Sequence, residues 1–143
     1  MAWLSVAEGF GTKCFILADA TAQGLKPSNW AARAVSLARE RGASTFIAES
    51  NQGGEMLRTV LESVGCELPV QLVHARLGKR ARALPVAALY SQGQVAHVGA
   101  LNALEDEMCR ESFVGSPDRV DALVWAVTVL MLGKSGPPRI RSL

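Results

Sequence analysis

Hydrophobic and polar positions along this chain repeat with two spacings, and the switches between them set out the elements. Residues 2–8 and 13–19 are extended runs separated by Gly9, Phe10, Gly11 and Thr12, a pattern that predicts a β-hairpin. The second run contains Cys14, Phe15, Ile16, Leu17 and Ala18, is apolar enough to be covered on both faces, and ends in Asp19. After a loop at 21–27, Pro27 and Ser28 signal a helix start, with Ser28 expected as N-cap. Trp30, Ala31, Ala34, Val35, Leu37 and Ala38 fall on one face of that helix, and Gly42 closes it. Thr45, Phe46 and Ile47 make a short buried strand. Gly53 and Gly54 lead into a second helix whose buried stripe is expected at Met56, Leu57, Val60, Leu61 and Val64. A short strand at 69–74 follows, then a helical stretch at 78–92 that Pro85 should kink or restart. A small strand at 94–98 and an amphipathic helix at 101–110 come next. A last helix, capped by Ser116 and opened by Pro117, runs to about Leu132. The order strand–strand–helix–strand–helix–strand–helix predicts an α/β fold, a mixed β-sheet flanked by helices.

The 143 residues suffice for one domain, 1–132, followed by a flexible basic tail at 133–143 that carries Pro137 and Pro138. No apolar run reaches membrane-spanning length and the first residues lack the basic start of a signal peptide, so a cytoplasmic protein without a membrane partner is expected. Cys14, Cys66 and Cys109 have neither zinc-ligand nor disulfide spacing and read as buried free thiols. A net charge of +2 is too mild to imply nucleic acid by itself, but its distribution is uneven. Lys79, Arg80 and Arg82 cluster, and Lys134, Arg139 and Arg141 mark the tail.

Candidate chemistry begins where the central strand ends. Glu49 follows the buried run at once, and Ser50, Asn51, Gln52 and two glycines come after it, as where open α/β sheets expose functional groups. Alone, Glu49 is more simply read as the first solvated residue past a core strand. A second acidic group lies in the last helix: Asp118 and Asp121, three apart, project from nearly one face, opposite the apolar stripe Val120, Leu123, Val124, Val127 and Leu130. The helix dipole accounts for Asp118 but less well for Asp121, deeper in the helix. Crowded carboxylates call for a cation, and Mg2+ or Mn2+ suits oxygen ligands. If Glu49 joins the aspartates, two ions about 4 Å apart could support phosphodiester hydrolysis. Lys79 and Arg82, spaced to share a helix face, would then meet a phosphate backbone, with Arg80, Asn51 and Gln52 as further candidate contacts. His74 and His97 stand isolated and read as structural. A small-molecule α/β enzyme is disfavoured, because it would need a phosphate-cradling GxGxxG or P-loop and neither is present.

The segments FIAESNQGGEM, GKRARALPVAALYSQGQVAHVG, LEDEMC and SPDRVDALVWA, in this order, resemble the C-terminal nuclease domain of phage and prophage large terminases, above all the type of phage-like gene transfer agents. The resemblance runs over roughly residues 15–131. It implies an RNase H-like fold and an endonuclease that cuts concatemeric double-stranded DNA during head packaging. Two ions of Mg2+ or Mn2+ are implied as cofactors, and a small terminase subunit and the portal as partners. The family's metal ligands carry over to Glu49 and Asp118, with Asp121 a neighbouring acid and Lys79 and Arg82 as DNA-facing bases. Two departures stand out. The acid pair usual at the last helix is here Pro117-Asp118, which leaves open which aspartate binds metal. The first catalytic aspartate belongs to a central strand preceding residues 2–8, so the chain is expected to be a fragment or a shortened form. Glu8 and Asp19, on the outer hairpin, are not expected to substitute for it. A sheet without its middle strand leaves open edges that favour homo-oligomers. The alternative to an enzyme is a non-catalytic DNA-binding or assembly module of the same fold.

Overall fold

A computed structural model describes residues 5–110 and 118–133. The expected first residues of the opening strand, the Ser116 cap with Pro117, and the basic tail beyond Gly133 lie outside the described residues. Two strands open the chain, β1 (Ser5–Phe10) and β2 (Lys13–Asp19). They pair antiparallel, with Phe10 opposite Lys13, so Gly11 and Thr12 alone make the turn. Helix α1 (Pro27–Glu40) precedes β3 (Phe46–Glu49), a 3-10 turn at Ser50–Gln52 and α2 (Gly54–Ser63). Then come β4 (Val70–Val73), α3 (Lys79–Ser91), β5 (Val95–His97) and α4 (Asn102–Met108). The last helix, α5 (Asp118–Val127), continues as a π-helical segment at Thr128–Leu132.

The strands form two sheets rather than one. β1, β2 and β5 make a mixed three-stranded sheet, with β5 parallel to β2, while β3 and β4 pair parallel by themselves. Each sheet has its own core. Cys14, Ile16, Val86, Val95, Leu104, Leu123, Val124 and Val127 close the first, and Ala31, Ala34, Val35, Ala38, Phe46 and Leu61 the second. Between them lies a cleft of about 960 Å³. Its walls include residues 7–9 of β1 and all four residues of β3. Successive strand residues point to opposite faces, so consecutive lining residues mean that each strand presents its edge to the cleft. Phe46 donates its N–H to Pro69 on the β4 side, which turns the N–H and C=O of Ile47 toward the cleft.

Several local expectations are corrected. Helix α1 starts at Pro27 with Lys26 as its cap, because proline at the first position gives up only an N–H that has no helical partner. Ser28 therefore lies inside the helix. Pro85 sits within an unbroken α3: the lost bond is outweighed by packing of Val86, Leu89 and Tyr90 into the first core. Met56 is 70% exposed, since α2 buries Leu61 and rests Leu57, Val60 and Val64 on the second core, one position off Met56. Of the cysteines only Cys14 is buried; Cys66 is half-buried and Cys109 exposed. Burial pushes the Cys14 thiol up to about 11. Strand β2 is not covered throughout: Cys14 and Ile16 are buried and its other positions are partly open.

The junction of β3 with α2 fixes the position of Glu49. Gly53 ends the 3-10 turn in the left-handed region, at φ 83°. Gly54 then packs so closely that an added Cβ would meet the Leu72 side chain at 2.7 Å and the Glu49 carbonyl oxygen at 3.2 Å. Gly54→Ala should accordingly cost about 1–3 kcal/mol by overpacking and push the end of β3, read as a lower urea midpoint and shifted amide resonances at 48–50.

Beside the first core, His97 is far from isolated. Its Nδ1 lies 2.8 Å from Glu105 Oε1 and its Nε2 2.7 Å from the Tyr90 hydroxyl. The hydrogen bond from His97, joined by that from the Leu101 N–H, holds the Glu105 carboxyl below its ordinary value of 4.5. A carboxyl depressed in the folded state adds stability above 4.5 that is lost as pH falls through the folded value. Glu105→Gln should remove this dependence; urea melts between pH 5 and pH 2 (about the carboxylate range) would then run closer together than in wild type.

Candidate functional site

The carboxyl end of β3 and the start of α5 meet at the cleft. Glu49, Asp118 and Asp121 all line it, together with Lys79, Trp125 and Glu8. Helix α5 is anchored where it begins. The Val120 N–H donates to Glu107 Oε2 on α4 at 2.7 Å, so a neighbouring helix satisfies one of the first-turn amides. Arg119 reaches back to Asp19 Oδ2 at 2.7 Å, tying α5 to the end of β2. The Asp19 side chain is 6% exposed and also accepts from the Thr21 hydroxyl. Asp19 is thus a structural tie. Glu8, by contrast, is on a cleft wall, because β1 is an edge strand there and not the outer layer of a sheet.

The acids are drawn together by side-chain cations. Arg82 Nη2 lies 2.7 Å from Asp121 Oδ1 and 3.7 Å from Glu49 Oε2. Its Nη1 donates to the Leu77 carbonyl at 2.7 Å. Lys79 Nζ donates to Asp118 Oδ1. Trp125 completes the group: its Nε1 donates to Glu49 Oε2 at 3.0 Å, and the Arg82 guanidinium sits 5.0 Å from its ring centre. Trp125 was not singled out in the sequence, although it falls four residues after Asp121 and seven after Asp118, on one helix stripe.

Of the residues expected to face DNA, Arg80 is exposed and Lys79 half-buried. Arg82 turns inward, its side chain only 11% exposed. Asn51 is exposed and latched to the backbone of Ala75, accepting from its N–H and donating to its carbonyl. Gln52 closes the 3-10 turn, and its side chain lies outside the described residues. His74, on the same edge, contacts the Ser50 hydroxyl at 3.1 Å through Nδ1, so it too has a partner.

The donor set can be tested against a metal ion. Among the described residues no three His, Cys, Asp or Glu side chains gather as one complete ligand cage. Two carboxylates share one nitrogen of the Arg82 guanidinium, Asp121 at 2.7 Å and Glu49 at 3.7 Å. Mg2+ commonly takes one or two carboxylates and fills its shell with water and substrate phosphate, so Glu49 and Asp121 fit a hard divalent ion. Asp118 borders the same cleft one helical turn away.

The family model of the terminase RNaseH-like domain matches residues 1–129. The chain belongs to the terminase RNaseH-like domain family. No curated protein matches it. Membership settles the RNase H-like α/β fold and a nuclease-type terminase domain. Among the described residues of this terminase domain, no helix is long and apolar enough to cross a membrane.

Proposed function

We propose that this terminase domain is a divalent-metal-dependent endodeoxyribonuclease that cuts concatemeric double-stranded DNA as it is packaged in the cytoplasm of a bacterial cell. One observation carries the reading: acids from the end of β3 and from α5, far apart in the chain, line one cleft beside Lys79 and Arg82. Glu49 and Asp121 would hold one ion, and Asp118, one helical turn away on the same cleft, would serve a second. When bound, Mg2+ or Mn2+ supplies charge for the attacked phosphate and activates water. Arg82 keeps Glu49 and Asp121 beside one guanidinium nitrogen, Trp125 fixes the Glu49 carboxylate by its N–H, and Lys79 and Arg80 attract the phosphate backbone. The decisive experiment is nicking of supercoiled plasmid in Mn2+, with a chelator control and with Glu49→Ala and Asp118→Ala. Cutting that needs the metal and both acids supports the enzyme.

A second reading has its own support. Lys79 pairs with Asp118, and Arg82 with Asp121 and Glu49, as in a module that binds DNA or assembles without cutting it. Retention of DNA in a mobility-shift gel, with no nicking, selects this reading.

As part of a packaging motor, the domain would work with a small terminase subunit, the portal and double-stranded DNA. The edges of β1 and β3 also offer strand-mediated self-association. The expected outcome is a scattering mass that rises with protein concentration; a constant monomer mass argues against it.

A further inference from the structure

We propose that Arg82 is the resident counter-ion of the Glu49–Asp121 pair and competes with a divalent cation for that position. The inference rests on the metal-dependent reading above and assigns Arg82 as a positioning residue of the site.

The geometry is specific. One guanidinium nitrogen serves both acids, at 2.7 Å from Asp121 and 3.7 Å from Glu49. All three side chains are only 11–12% exposed, so water screens them weakly. Two carboxylates so placed repel unless a positive charge stays beside them. Among the described residues, Lys79 pairs with Asp118 and Arg82 with the other two acids. The Trp125 ring flanks the guanidinium, and the same indole donates to Glu49 Oε2. Arg82 and Trp125 therefore hold the pair in place by themselves.

A divalent ion at those oxygens would stand within a few ångströms of the guanidinium, and like charges at that range repel strongly. Either the metal or the guanidinium occupies the point. Arg82 is also incompletely satisfied where it lies: its Nε is buried with no hydrogen-bond partner among the described residues. An under-satisfied guanidinium on a long, flexible stem is easier to displace than one with all five donors engaged.

Tb3+ provides a direct probe, since it prefers oxygen ligands as Mg2+ and Mn2+ do and its emission is sensitised by a nearby indole such as Trp125. Wild type, Arg82→Gln and Arg82→Lys would be titrated with Tb3+ under indole excitation, with Glu49→Gln and Asp121→Asn as controls. The expected result is binding about tenfold tighter in Arg82→Gln, equivalent to about 1.4 kcal/mol, and near wild type in Arg82→Lys, which keeps the charge. Emission should fall in both acid controls. Thermal melts provide the second readout. Arg82→Gln should melt lower than wild type in EDTA, and Mn2+ should restore it by more degrees than it raises wild type.

Unchanged or weaker Tb3+ binding in a folded Arg82→Gln overturns the proposal, as does equal tightening in Arg82→Lys. If wild-type binding depends on Glu49 and Asp121 while Arg82→Gln fails to tighten it, the metal site stands and only the competition falls. If no variant shows Glu49-dependent binding, the metal reading itself falls, and this inference with it. An Arg82→Gln protein that folds only when Mn2+ is added supports the competition; one unfolded with and without Mn2+ overturns it.

Discussion

Glu49→Ala is expected to lower Mn2+-dependent plasmid nicking about a thousandfold, the largest functional effect of any single change in this domain. The magnitude follows from the several kcal/mol that a correctly held metal contributes to phosphate cleavage. Glu49 is the acid on which the whole site converges: Trp125 donates to it at 3.0 Å, Arg82 lies 3.7 Å away, and Arg82 in turn holds Asp121. Removing it takes one carboxylate from the pair and leaves the Trp125 N–H without its acceptor. Asp118→Ala and Asp121→Asn should each reduce cutting too, and their relative loss decides which aspartate belongs with Glu49. Retention of DNA by Glu49→Ala in a mobility-shift gel would show that chemistry, not binding, was removed. Nicking by Glu49→Ala within a factor of a few of wild type would sink the assignment.

The largest effect on stability is expected from Leu123→Ala, at about 2–5 kcal/mol. Leu123 is 1% exposed on α5 and joins Ile16, Val86, Leu104 and Val124 in the first core. Truncation there loses transfer free energy and leaves a cavity that β2 and β5 cannot close without shifting. Domains of ordinary stability hold only about 5–15 kcal/mol in all, so a large share would go. Urea unfolding followed by far-UV circular dichroism measures it. Leu61→Ala tests the other half, because Leu61 is fully buried among α1, α2 and β3. With the two cores separate, Leu61→Ala should release hydrogen-exchange protection mainly in β3 and β4, and Leu123→Ala mainly in β1, β2 and β5. Equal loss across all five strands after either change would mean that the halves melt as one unit.

Much of this architecture was legible from local pattern. The hairpin, five of the helices and the strand that ends in Glu49 all appear where period and punctuation placed them, with boundaries moved by a residue or a few. Glu49, Asp118 and Asp121 were nameable because an acid just past an apolar strand and a pair three apart on a helix are local facts. Local signals failed where packing competed with them. Pro85 reads as a break, yet the core side of α3 holds the helix through it. Met56 is apolar and at nearly the right phase, yet the stripe that packs begins one residue later.

The sequence alone determined which residues carry charge and how each helix and strand turns its faces, because those depend on neighbours within about a turn of chain. Only the tertiary structure decided what the charges meet. Trp125 and Glu49 are 76 positions apart, and Arg82 and Asp121 are 39 apart. Nothing in a period of 2 or 3.6 says that Arg82 should turn inward while Arg80 stays in water. Nor does it say that the strands divide into two sheets, with β1 and β3 left as facing walls of a cleft. Contacts of that range depend on which elements become neighbours, and that follows from how apolar faces combine to fill a core, a property of the whole chain and not of any window along it.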